Sequence, residues 1–495
     1  MNRFRSYHLI LSVFLALFAV GCNTTAPEAQ KDKELSLQFN ENQTFKIAQF
    51  TDIHWRNENE EQCAKTEEVI RQILEIEKPD LAVLTGDIVN HPAEDGWKRV
   101  TSFFTDAGVN FAVTMGNHDH ESEWTHQQIF EFLASKPGFV GEIGPEDISG
   151  EGNYIITLQS AESDAVKALL YFFDSNAYAS DKTVSDYDWI KFDQIAWYRE
   201  QSKNYTAKNG GEPYPALAFF HIPLPEYSEV IGKPTTIGES DERICSPEIN
   251  TGMFASMWEM KDVMGTFVGH DHNNNYIGIY NGIALAYGQS SGYGGYGNMK
   301  GSRIIELQEG KYGFNTWVRT LEGTSLHYNF PFGYSFITDE KQEFLPAKKV
   351  ENPEKGLKYK YYEGNFASVG DYSSLQPKKQ GEVRNISLDL ADSDNYFGVE
   401  FNGLIKIPET GMYRFFAFSD DGSQVFIDGN PVIDNDGKHG LIKKDALLGL
   451  EKGFHELKVL YFQHTGTKKV EISYSSLDIP ETLLPDSLLY HEKSR

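Results

Sequence analysis

Seven residues of metal-binding type stand in five short segments, each directly after a hydrophobic run. They are Asp52 and His54 in Thr51-Asp52-Ile53-His54, Asp87 after Gly86, Asn117 in Gly116-Asn117-His118-Asp119, His221 after Phe220, and His270 and His272 in Gly269-His270-Asp271-His272. Mixed nitrogen and oxygen donors suit zinc, manganese or iron, and the absence of thiolates argues against a structural zinc site. The donors suffice for two ions. Two cations about 3.5–4 Å apart lower the pKa of a shared water, orient a phosphate and neutralise charge in an in-line displacement. The expected chemistry is therefore hydrolysis of a phosphate ester, with His118 as proton donor to the leaving alkoxide. Asp119 either orients that imidazole and keeps it protonated or caps a helix.

Spacing supports the reading. Asp52 and His54 are two apart, so on extended chain they point to one side. Gly86 lets the backbone turn sharply and aim Asp87, whose two oxygens can bridge a pair of cations. His120 and Asp271 read as supporting residues. His8, His91, His126, His327 and the four histidines beyond it read as surface or scaffold.

The elements that must hold these side chains are strands. FKIAQF, LAVLT, NFAVTM, ALAF and MGTFV precede the five segments, and their continuous apolar character predicts a sheet buried on both faces. Helices are expected over Thr66–Glu77, Asp95–Phe104 and Tyr187–Lys203, giving a β-α-β alternation. Ligands in such folds gather beyond the carboxyl ends of the strands, where all five segments sit. After Leu357 the text becomes short strands and Gly-containing turns, which predicts a separate all-β sandwich.

The 495 residues allow two or three domains, and the net charge of -27 argues against a binder of long nucleic acid. The expected organisation is a signal over 1–21, a tether over 22–40, a catalytic domain over 41–325, a linker over 326–356, the sandwich over 357–480 and a tail over 481–495. Arg3 and Arg5 precede an apolar run from Leu9 to Val20, too short to span a membrane. Ala19-Val20-Gly21-Cys22 resembles the lipobox of bacterial lipoproteins, which implies lipidation of Cys22 and export to a bacterial membrane, the outer membrane or cell surface. Cys63 and Cys245 are either a disulfide or two free thiols, and neither has a Cys or His partner at metal-ligand spacing.

The order D-x-H, G-D, G-N-H-D, H, G-H-x-H resembles the calcineurin-like metallophosphoesterases. The resemblance implies an α/β fold with a central β-sandwich flanked by helices. It assigns one metal to Asp52, His54, Asp87 and His272, and the other to Asp87, Asn117, His221 and His270. His118 matches the catalytic histidine. Segments Ile244 to Gly252 and Asn281 to Gly288 look like the branch related to purple acid phosphatases. Those enzymes carry an iron-binding Tyr where this chain has Asn90, and they lack the counterpart of His54, so a tyrosinate-ligated iron is not expected.

The segment from Gly411 to Asn435 resembles the anthrax protective-antigen-type β-sandwich, whose carbohydrate-binding members hold calcium through an Asp pair, here Asp420 and Asp421. The expected protein is a lipid-anchored phosphoesterase with a glycan-directed module. The alternatives are a lectin-like lipoprotein with an inactive phosphatase domain, and a phosphodiesterase of small nucleotides.

Overall fold

Apolar runs without alternation become strands with no solvent-facing side. Leu81–Thr85, Ala216–Phe219 and Val263–Val268 are buried at every position. They belong to two sheets that pack face to face in a computed structural model describing residues 35–233, 235–297, 299–333, 344–476 and 479–493. The signal expected over 1–21, Cys22 and most of the tether lie outside these residues. No helix among the described residues is long and apolar enough to cross a membrane.

One sheet has six strands, in the order Gly323–Phe330, Phe314–Thr320, Gly301–Gln308, Thr44–Phe50, Leu81–Thr85 and Asn110–Thr114. The other has seven, in the order Ser36–Gln38, Tyr154–Gln159, Val166–Phe172, Ala216–Phe219, Val263–Val268, Ile283–Tyr287 and Ile277–Tyr280. Between them lies one core in which Phe267 meets Phe314 edge-on at 5.5 Å and Phe172 stacks on Phe219 at 5.3 Å. Helices Glu60–Glu77 and Ala93–Ala107 bury Ile70, Ile73, Trp97 and Phe104 in the same core. Helices Phe192–Lys208 and Met253–Met260 close a second cluster on the seven-stranded sheet, around Tyr198 and Met257.

The helices begin and end on recognisable signals. Asn59 accepts from the N–H of Gln62, which starts the first helix six residues ahead of the expected Thr66. Left-handed Lys78 ends it before Pro79. The expected helix over Tyr187–Lys203 runs instead from Phe192 to Lys208.

The chain from residue 344 folds on its own core of Phe415, Val459, Tyr461 and neighbours, between an eight-stranded and a four-stranded antiparallel sheet. Several boundaries differ from expectation. Ser36–Gln38, placed in the tether, pairs in parallel with Thr157–Gln159. Gly323–Phe330 runs past residue 325 into the expected linker, and Pro353–Lys355 from that linker pairs with Leu489–Glu492 from the expected tail. Ser36–Gln38, Pro353–Lys355 and Leu489–Glu492, of three or four residues each, carry no periodicity that a sequence pattern registers.

Candidate metal centre

The carboxyl ends of the parallel strands of both sheets meet, and hydrogen bonds stitch them together. Gln49 Nε2 donates to the carbonyl of Val268 (3.0 Å), and His221 Nδ1 lies 2.7 Å from the carbonyl of Thr85. The N–H of His270 donates to Asp52 Oδ1 at 3.0 Å. At this seam the chain turns abruptly. Asp52, His54, Asp87 and His270 all take positive φ, between 47° and 79°, a region non-glycine residues rarely enter.

The turns gather the donors into two groups. Asp52, His54 and His272 form one and Asp87, His221 and His270 the other, the ligand atoms within each lying within 4.8 Å of one another. Asp87 belongs geometrically to both, because its Oδ2 lies 3.1 Å from His221 Nε2 and 3.6 Å from His54 Nε2. All are buried, and His54, Asp87, His270 and His272 line a cavity of about 300 Å³ together with Arg56, Asn117, His118, Tyr187 and Tyr296.

Electrostatics show what the groups lack. Asn117 Oδ1 and His270 Nε2 are buried without a hydrogen-bond partner, a costly condition for a polar atom in a protein interior, and His221 Nε2 has only the Asp87 carboxylate 3.1 Å away. His54, His221 and His272 each have Nδ1 within hydrogen-bond distance of an oxygen, of Asn90, Thr85 and Tyr296 respectively, which leaves Nε2 as the ligating atom. Burial pushes His54 down, and lowers His272 to about 4. Burial would lower His221 too, but Asp87 and Asp52 outweigh it and raise it to about 10. Burial would raise Asp87, yet His221, His54 and His118 hold its carboxyl well below the usual range. Buried nitrogen and oxygen donors gathered beside carboxylates fit divalent cations.

The profile of the family described as calcineurin-like phosphoesterase matches residues 45–274, and that of the PA14 domain matches residues 353–487. Over 63% of its length the chain is 32% identical to "Probable inactive purple acid phosphatase 29" of Arabidopsis thaliana, and it covers 90% of that protein. The chain belongs to the calcineurin-like phosphoesterase family. It is also 31% identical, over 57% of its length and 55% of the relative's, to phosphatase DCR2 of Saccharomyces cerevisiae. A solved dimetal phosphatase from Danio rerio aligns with 57% of this chain and 98% of its own, at 13% identity and a TM-score of 0.41.

In this chain the departures from the purple acid phosphatase pattern are linked. Asn90 Oδ1 accepts the hydrogen bond from His54 Nδ1 at 2.9 Å, so the residue standing in place of the tyrosine orients the additional histidine.

Asp119 corrects an expectation. It neither touches His118 nor caps a helix. Its carboxylate accepts from the N–H groups of Asp87 (2.8 Å), Ile88 (2.8 Å), Val89 (3.1 Å) and Gly116 (2.8 Å), clamping two donor loops together. The partner of His118 is Glu121, whose Oε2 lies 2.6 Å from Nδ1. Cys245 adds a neighbour that spacing along the chain does not show. Though far from any ligand in sequence, it lines the cavity with a donor atom within 4.8 Å of those of His270 and Asp271. Burial and the Asp271 charge push its thiol up to about 12. Both Cys63 and Cys245 are free.

Sequence reasoning also missed the aromatic walls. Tyr187 sets its ring edge-on to His270 at 4.4 Å, and Tyr296 stacks on His272 at 4.0 Å. Neither lies at motif spacing; only the Gly-Tyr richness around Tyr296 signalled a loop fit to approach closely. Asp271, read as a supporting residue, accepts from Tyr287 Oη (2.6 Å) and the N–H of Cys245. His120 stays outside the cavity, 6.1 Å between ring centres from Tyr178.

In the PA14 domain Asp420 ends the strand Gly411–Asp420, and Asp421 follows it across a cis peptide bond. The carboxylate of Asp421 accepts from the N–H of His439 (3.2 Å) and of His464 (2.7 Å). Burial and the adjacent Asp421 charge raise the Asp420 carboxyl.

Proposed function

We propose that this protein hydrolyses small phosphate esters at a dinuclear metal centre, exported and held at a bacterial membrane by a lipid on Cys22. The supporting observation for hydrolysis is the pair of buried, partnerless donor atoms on Asn117 and His270 beside the Asp87 carboxylate, which His221 also meets at 3.1 Å. Asp52, His54, Asp87 and His272 would hold one ion, and Asp87, Asn117, His221 and His270 the other. Two divalent ions of manganese, iron or zinc there supply an acidified water and neutralise phosphate charge.

The chain's own residues do the rest. Arg56 stands at the cavity as a cation for the phosphate, and Tyr187 and Tyr296 wall the space for the esterified alcohol. His118 reaches the same cavity and delivers a proton to the leaving oxygen. The positive and apolar N-terminal run and Cys22 favour export and anchoring. Asp420 and Asp421 would take calcium and, through it, sugar hydroxyls.

The test is the metal content of the protein from residue 23 onward, followed by hydrolysis of an aryl phosphomonoester and its diester analogue. Two metals per chain with turnover is the expected result, and the ratio of the two substrates separates monoesterase from phosphodiesterase. The word "inactive" in the name of the Arabidopsis relative favours a second reading, a glycan-binding lipoprotein with a silent phosphatase domain. A chain that takes up no transition metal when supplied would decide for it.

A further inference from the structure

His118 is held on three sides. Its backbone N–H donates to Asp87 Oδ1 (2.8 Å), its ring stands edge-on to that of His54 with centres 5.3 Å apart, and its Nδ1 meets Glu121 Oε2. A carboxylate only accepts, so Nδ1 carries a proton whether the ring is neutral or cationic. Nε2 is the nitrogen left to face a substrate.

Glu121 is itself fixed. Its N–H donates to the carbonyl of His118 (3.1 Å), closing a turn, and its second oxygen, Oε1, accepts from Tyr178 Oη at 3.3 Å. Tyr178 Oη in turn accepts from Asn117 Nδ2 at 3.0 Å. The result is a ring of contacts, Asn117 to Tyr178 to Glu121 to His118, closed by the peptide bond between Asn117 and His118. With Nδ2 committed to Tyr178, the free Oδ1 of Asn117 is the atom left for the metal centre. Asp119 cannot substitute for Glu121, because its oxygens are taken by four backbone N–H groups.

We propose that Glu121, steadied by Tyr178, is the positioning residue that binds the Nδ1–H of His118 and holds Nε2 turned to the leaving group, suiting the site to phosphate esters of unactivated alcohols. The proposal rests on the hydrolytic reading above. In the step it serves, a water oxygen forms the new bond to phosphorus and the bond from phosphorus to the alcohol oxygen breaks. The departing electron pair takes the proton from Nε2, while the Nδ1 proton stays on the ring, bonded to Glu121. An alkoxide needs that proton to leave; a nitrophenolate does not.

The test compares the zinc-loaded full chain with Glu121→Gln, Glu121→Ala and Tyr178→Phe. Nitrogen-15 NMR on labelled histidines reads the Nδ1–H of His118, identified by its disappearance in His118→Ala. That proton should be strongly deshielded in the wild type, and lose this shift in both Glu121 variants. Metal content should not change. Glu121→Gln should lower kcat for an alkyl phosphate by roughly 10–100-fold with KM unchanged, and leave kcat for a nitrophenyl phosphate within about threefold. Tyr178→Phe should go the same way by a smaller factor. A His118 proton indifferent to Glu121, or an equal loss on both esters, overturns the proposal. Wild-type protein that turns over neither ester overturns the hydrolytic reading instead, and the NMR signal alone then decides whether Glu121 positions His118.

Discussion

His54 and His272 point their Nε2 atoms at one another across 3.1 Å, and in the neutral rings neither has a proton to give. The Nδ1 of each is spent on an oxygen, that of Asn90 and that of Tyr296. Burial keeps both rings from charging, His272 down to about 4, so two lone pairs face each other at the base of the cavity. A cation between them turns repulsion into ligation. Metal should therefore stabilise the fold, by about 2.7 kcal/mol at a hundredfold excess over Kd. Calorimetric scans with manganese, with zinc and with a chelator measure this; identical midpoints in all three would contradict it.

Metal uptake should also release a proton from His221. Without metal, the Asp87 and Asp52 carboxylates hold a proton on this ring up to about pH 10 despite its burial. A ligand nitrogen must give that proton up, so below about pH 10 the apparent affinity should climb with pH and flatten above it. The sign follows from a raised value: the protonated state competes with metal at neutral pH and ceases to compete in alkali. Titration calorimetry in two buffers of different ionisation enthalpy at pH 7 should return about one proton per chain from this residue.

Asp119→Asn should damage stability and metal binding together. An amide presents two donors of its own, so at least one of the four backbone N–H groups now bonded to Asp119 faces another N–H in a buried site. The expected cost is about 3 kcal/mol in chemical denaturation, with weaker metal retention, because the Asp87 loop loses its anchor. Full stability of this variant would mean that the clamp is redundant.

Gly86→Ala and Gly282→Ala separate crowding from backbone strain. Both glycines have positive φ, +83° and +86°. A Cβ on Gly86 would sit 2.5 Å from His221 Nδ1 and 2.8 Å from Gly116 Cα, whereas one on Gly282 would meet nothing within 4 Å. Gly282→Ala should cost about 1 kcal/mol and keep both metals. Gly86→Ala should lose at least one metal, seen by elemental analysis.

Ending the chain at residue 333 should leave a folded, metal-binding domain. Among the described residues the phosphoesterase and PA14 cores share no residue, and the segment around Leu345 and Lys348 bridges to Leu450 and Phe454 of the second domain. The contact from Arg414 Nη1 to the carbonyl of Pro331 (3.1 Å) is lost, a minor penalty at the domain edge. Aggregation of the shortened chain would reveal a dependence between the domains.

The donors were legible in sequence because buried parallel strands announce their own ends: an unbroken apolar run that stops at Asp or His has nowhere to put that residue except the sheet edge. Asp119 was visible as a motif residue but not as a clamp, since its partners Asp87 to Val89 lie about thirty positions away and offer only backbone. Glu121, Tyr178 and Tyr187 were invisible for another reason. Loops carry no periodicity, and a residue that supports another by one hydrogen bond needs no particular spacing from it. Asn90 was noticed only as a missing tyrosine; its bond to His54 gives it a purpose that composition cannot state.

The positive φ of Asp52, His54, Asp87 and His270 bears on the order of events during biogenesis. A nascent chain samples that region rarely at any one of these residues and almost never at four together. Ions arriving early would therefore meet ligands facing the wrong way, and only a chain whose strands have already docked presents them correctly. Metal then enters as the last component, into a finished socket, and a cell short of the right ion would accumulate a folded, empty precursor rather than an unfolded one.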